Sequence, residues 1–134
     1  MAPGVAPTLL LLSIAVASAP APDAGPPRTG VEVARAEAEA NAKTPAGRRY
    51  EGVVVSRVED WLRPAIQRCA RDLPKDELIS FDGLVRVDAE GKAEEVLFGP
   101  ETRLARCVAP EFRDAAYPRP PRPGWWVKVE IRPR

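Results

Sequence analysis

Apolar residues recur along this chain with two different periods, and the two alternate in order. The clearest period-two stretch is residues 125–132, where Trp125, Val127, Val129 and Ile131 interleave with Trp126, Lys128, Glu130 and Arg132. Successive strand side chains point to opposite faces, so this spacing predicts a half-buried strand with Trp126 on its polar side. Residues 84–88 and 93–98 predict a hairpin. In its first strand Val85 and Val87 face away from Leu84, Arg86 and Asp88; in its second, Glu94, Val96 and Phe98 face away from Ala93, Glu95 and Leu97. Asp88-Ala89-Glu90-Gly91 supplies the turn, since Asp bonds its own backbone and Gly accepts a positive φ. Gly99-Pro100 ends the second strand.

The longer period marks helices on either side of the hairpin. Val58, Trp61, Leu62, Ala65, Ile66, Cys69 and Leu73 recur at spacings of three and four, an amphipathic face. Ser56 and Glu59 fit a capping box at its start, Pro64 predicts a kink, and Leu73-Pro74 predicts its end. A second helix, capped by Thr102, carries Leu104, Cys107, Val108 and Phe112 on one face, and Pro110 predicts a split into two short pieces. Residues 117–124 are proline-dense and predict a polyproline-like connector. The expected fold class is therefore α+β in the order helix, strand, strand, helix, strand. Its sheet is three-stranded and antiparallel, with both helices on one face.

The region before this domain reads differently. Residues 1–17 contain an apolar run, Leu9 to Val16, followed by small residues, which predicts a signal peptide cut after Ala17. Residues 18–48 predict a Pro/Ala-rich linker, in which 31–43 have helix-forming composition but almost no large apolar side chain. An exposed helix with little to bury is the expectation there, with the domain spanning 49–134. Export to the periplasm or beyond gives meaning to the only two cysteines, Cys69 and Cys107. An even count in an oxidising compartment predicts a disulfide stapling the two helices across the hairpin, with two buried free thiols as the alternative.

Chemistry is conspicuous mainly by exclusion. The chain has no histidine, which rules out a His-dependent triad or an imidazole metal site. Two cysteines so far apart make neither a zinc knuckle nor a CxxC redox centre. The paired carboxylates are sequence neighbours, and Glu94 and Glu95 are expected on opposite faces of a strand, unable to share a proton. No catalytic residue, metal or cofactor is therefore expected. The net charge of +1 favours neither nucleic acid nor a membrane surface. Locally, Arg113, Arg119, Arg122, Lys128, Arg132 and Arg134 make the C-terminal part basic.

Ile66-x-x-Cys69, Gly83-x-Val85-x-Val87, Gly91-Lys92-Ala93, Cys107-Val108, Tyr117-Pro118-x-Pro120 and Val127-x-Val129 stand in this order. In that spacing the segment resembles the TonB C-terminal domain, and most closely the myxobacterial AgmX/PglI variant whose two cysteines flank the hairpin. The resemblance implies a periplasmic, non-enzymatic interaction module. Better-known members pair an edge strand with a short segment of an outer-membrane partner. Energy-transducing members keep a histidine-bearing membrane anchor, and this sequence has no histidine, so a free binding domain without a retained span is expected. The expected partner is an envelope protein or peptide added to the last strand, with Trp126, Lys128, Glu130 and Arg132 as its contacts. The competing expectation is an envelope structural protein whose basic C-terminal face meets anionic cell-wall or outer-membrane components.

Overall fold

The computed structural model describes residues 29–133 together with Gly4. The signal peptide expected at 1–17, the linker residues 18–28 and Arg134 lie outside that description. Five elements follow the expected order: α2 (Pro45–Arg71), β1 (Phe81–Val87), β2 (Ala93–Gly99), α3 (Arg103–Asp114) and β3 (Trp125–Ile131). Ahead of them stands α1 (Val31–Ala42). The sheet runs β2-β1-β3, antiparallel throughout, with the hairpin strand β1 at its centre.

α2 and α3 cover one face of the sheet. Val54, Val58, Leu62, Ala65 and Cys69 from α2 meet Leu104, Val108 and Phe112 from α3 over Val85, Val87, Val127 and Val129. Cys69 and Cys107 are bonded, tying the last turn of α2 to the middle of α3. The Phe112 ring presses on Gly83, where an added Cβ would meet Phe112 Cε1 at 2.9 Å. That contact explains a glycine in the central strand, since a side chain there would displace the ring.

Several local expectations are corrected by longer-range packing. α2 begins at Thr44, whose hydroxyl accepts from the Gly47 amide at 2.9 Å, with Pro45 in the first helical position. Ser56 and Glu59 are consequently interior residues, and the helix passes through Pro64 without ending. α3 likewise runs unbroken through Pro110. A helix-interior proline costs about 3 kcal/mol. Full burial of Leu104, Val108 and Phe112 on the opposite side of α3 outweighs that, at about 1.5–3 kcal/mol each.

The hairpin contains an irregularity: Arg86 pairs with Glu95 but Val87 pairs with Ala93, leaving Glu94 as the extra residue. Ala93 is thereby turned to the α2/α3 side, where it packs with Val96 and Phe98 instead of with Leu97. Glu94 and Glu95, expected on opposite faces, both reach Arg86, at 3.1 and 3.5 Å. At the turn, the Asp88 carboxylate accepts from the Glu90 and Lys92 amides, and Gly91 has φ 89°. The Gly91 carbonyl also accepts from the Tyr117 amide, anchoring the proline-rich connector. A Cβ at Gly91 would sit 2.2 Å from the Tyr117 carbonyl oxygen. Gly91→Ala is expected to destabilise the protein by about 1–3 kcal/mol, read as a lower urea midpoint, because strained φ and a backbone clash coincide.

The largest departure is α1. It lies on the sheet face opposite α2 and α3, where Ala34 and Ala38 pack with Leu84 and Trp126, flanked by Val31 and Leu97. The folded unit thus includes α1, ahead of the boundary expected at residue 49, and the sheet is sandwiched between helices. Alanines four residues apart let the helix backbone approach closely enough to bury an indole. Trp126 is 2% exposed. Its expected place on the exterior is overturned because that side of β3 has a cover.

Candidate protein-interaction edges

A central β1 leaves β2 and β3 as the two edges of the sheet. Their unpaired backbone groups follow from the ladder. The Gly124 amide donates to the Val87 carbonyl, and the Asp88 amide to the Lys92 carbonyl, so Val87 turns its backbone toward β3 and its neighbour turns toward β2. Alternation along β1 then makes Gly83 and Val85 the residues bonded to Val129 and Val127, and Leu84 the one bonded to Leu97. What remains pointing off the sheet is the backbone of Trp126, Lys128 and Glu130 on the β3 edge, and of Val96 and Phe98 on the β2 edge.

The β3 edge is partly closed. The chain passes from α1 on one face to α2 on the other, and it rounds the sheet at this edge. At the corner the Asn41 amide donates to the Trp126 carbonyl at 3.0 Å. Thr44 returns a hydroxyl bond to the Asn41 carbonyl at 2.8 Å and at the same time caps α2. Wrapping an edge with helix and loop protects it from unwanted pairing. Among the described residues, no backbone or side-chain group covers the outward backbone of Lys128 and Glu130, which stays available for an added strand.

Of the four expected contact residues, three form a polar ladder. Lys128 Nζ lies 3.2 Å from Glu39 and 3.4 Å from Glu130, and Arg132 lies 3.2 Å from Glu130. Burial opposes the Lys128 charge, but its bonds to Glu39 and Glu130 outweigh that and raise its pKa. The bond from Lys128 and its charge, with Arg132 adding, hold the Glu130 carboxyl below the usual carboxylate range. Trp126 takes no part in this ladder and serves instead as the anchor of α1. The ladder also pairs two of the basic residues expected to form a cationic surface, Lys128 and Arg132, with carboxylates. A third, Arg122, stacks over the Trp125 ring at 5.2 Å.

Beside the open part of β3 lies a groove of about 500 Å³ whose apolar floor comes from Leu62, Ile66 and Ile131. Glu59 and Arg63 of α2 and Arg132 stand on its walls. A second groove, of about 390 Å³, runs along β2 beneath α3. Sequence reasoning missed this one, although its signal was present: Arg106 and Arg113, seven residues apart on α3, share a helix face.

Among the described residues no group of three potential ligands is placed to hold a metal ion, and no helix is long and apolar enough to cross a membrane. The buried phenols are structural. Tyr117 donates to the Phe112 carbonyl at 2.7 Å and Tyr50 to the Pro118 carbonyl at 2.9 Å. Burial raises both, Tyr50 to about 12. Neither is poised for proton transfer near neutral pH. No protein-family model matches the chain, and neither a curated protein nor a solved structure does.

Proposed function

We propose that this is an exported, non-enzymatic TonB C-terminal-like module that binds an envelope protein or peptide by adding a strand to β3. The observation that carries the proposal is the pair of outward-facing backbone units at Lys128 and Glu130, beside a groove with an apolar floor. An incoming strand gains main-chain bonds from the edge, and its alternate side chains drop into the groove. The Cys69–Cys107 bond fits an oxidising compartment, in keeping with the apolar run at residues 9–16. Trp126 is outside the contact set, while Lys128, Glu130 and Arg132 remain in it.

A photo-crosslinker placed at Arg132, an exposed position on the groove wall, tests the proposal in the exporting cell. One protein adduct is expected, identifiable by mass spectrometry. Glu130→Pro removes an outward-facing N–H and is expected to abolish the adduct, whereas Glu130→Gln keeps it. Purified partner should then slow hydrogen exchange at the amides of residues 128 and 130 and stay bound as salt rises, because backbone pairing is screened far less than surface charge. An adduct that survives Glu130→Pro and disappears at moderate salt would instead support contact through the basic residues.

A further inference from the structure

The second edge carries an inference that goes beyond the β3 proposal. Val96 and Phe98 turn their backbone groups off β2, and no backbone hydrogen bond among the described residues reaches them from outside the sheet. Their side chains are half-buried on the α3 side, so they form an apolar floor beneath that helix. The overhanging wall reads Arg106, Ala109, Pro110, Arg113: cation, two apolar residues, cation. Neither arginine forms an ion pair among the described residues, although Arg35, Arg68, Arg86, Arg103 and Arg132 all do. The one carboxylate on the lining is Glu101, so the groove keeps a net positive charge.

The spacing selects a ligand. Seven helical residues place Arg106 and Arg113 about 10.5 Å apart along α3. In an extended chain, same-face residues four apart are separated by about 13 Å, a mismatch that two long arginine side chains readily absorb. The residue midway between them would then sit over Ala109 and Pro110. We infer that the β2 edge and α3 form a second binding site, for an extended acidic peptide with the pattern acidic-x-apolar-x-acidic. The peptide pairs with Val96 and Phe98 through its backbone and places one carboxylate at each arginine. Charged hydrogen bonds from guanidinium groups fix its register. A second copy of this chain fits less well, since two-fold pairing at β2 would bring the arginine pairs of both copies together.

The test uses the full-length oxidised protein and a seven-residue fluorescent peptide. Its second and sixth residues are glutamate, its fourth valine and the others threonine. Anisotropy is expected to show saturable binding, weakened at least tenfold when glutamine replaces both glutamates. R106E/R113E, at two exposed positions, should lose the acidic peptide and gain one with lysines in place of the glutamates. Glu130→Pro should leave acidic-peptide binding unchanged, which separates this site from the one on β3. The proposal is overturned if the acidic peptide does not bind, if R106E/R113E binds it unchanged, or if Glu130→Pro abolishes binding. Sedimentation showing a dimer that dissociates in R106E/R113E would also overturn it, by assigning the groove to a second copy.

Discussion

Trp126→Ala is expected to cost about 3–5 kcal/mol, the range for removing a fully buried aromatic side chain. Were the indole an exposed partner contact, the same change would lie within about 0.5 kcal/mol of neutral. The difference arises from α1: Ala34 and Ala38 lie against the indole, and Leu84 shares the contact. Without the ring, Ala34 and Ala38 keep only Leu84 and the flanking Leu97 as apolar partners on the sheet. Urea unfolding should report the lost stability, and hydrogen exchange should report where it is lost. Amides of α1 should exchange much faster in the variant, while those of β1 follow global stability. An unfolding midpoint unchanged from the parent would show that α1 does not depend on Trp126.

Breaking the Cys69–Cys107 bond is expected to have an effect of similar size. The cysteines are separated by 38 residues. Removing that constraint from the unfolded chain changes its entropy by an amount worth about 4 kcal/mol at 25 °C, an upper figure that residual unfolded structure reduces. Single domains commonly have only about 5–15 kcal/mol of stability in total. C69A/C107A should therefore lower the urea midpoint substantially and bring the melting temperature down by ten degrees or more, at about 4–8 °C per kcal/mol for a domain near this size. Dithiothreitol should do the same to the parent protein and nothing further to the variant. A loss below about 1 kcal/mol would mean that the packing of α2 on α3, with the Arg68–Glu111 ion pair, already provides the connection without it.

The elements that were legible from sequence are those in which a local pattern and a tertiary need coincide. β3 alternates because one face meets the core, and the hairpin turn works through Asp88 and Gly91 alone. The disulfide followed from a count of two and an expected compartment. What failed was mostly a local rule overruled at a distance. Ser56 and Glu59 satisfied a capping pattern, but Thr44, Pro45 and Gly47 satisfied a better one earlier in the chain. Pro110, expected to split α3, was tolerated because that helix buries a strong apolar face. The bulge at Arg86/Val87, invisible in the alternation, moved Ala93 across the sheet.

The candidate edges were legible only in part, for a related reason. β3 was recognisable as a closing strand, but its cover was not. The alternation groups Leu84 with Arg86, Leu97 with Glu95 and Trp126 with Lys128, and three large apolar residues brought to one face imply something to cover them. The covering helix offers Val31, Ala34 and Ala38, and the two alanines let its backbone lie close over Leu84 and Trp126. An apolar count along 31–43 undervalues such a helix. The groove on β2 depends on which way Val96 and Phe98 turn their backbone, which no side-chain pattern encodes.

The corner at Asn41 also bears on how the molecule assembles in time. Its bond to Trp126 joins residues 85 positions apart, and Glu39 reaches Lys128 across 89. Although α1 precedes every strand of the sheet in the chain, it is thus among the last elements to find its seat, since β3 must be laid down before α1 has its full surface to cover. Contacts this distant in sequence slow folding, because a large loop closes before any of them forms. Until then the β3 edge stands fully open, with the alanine stripe of α1 facing water. A chain cut before residue 126 would lack the strand on which α1 sits, and the alanine stripe would keep facing water.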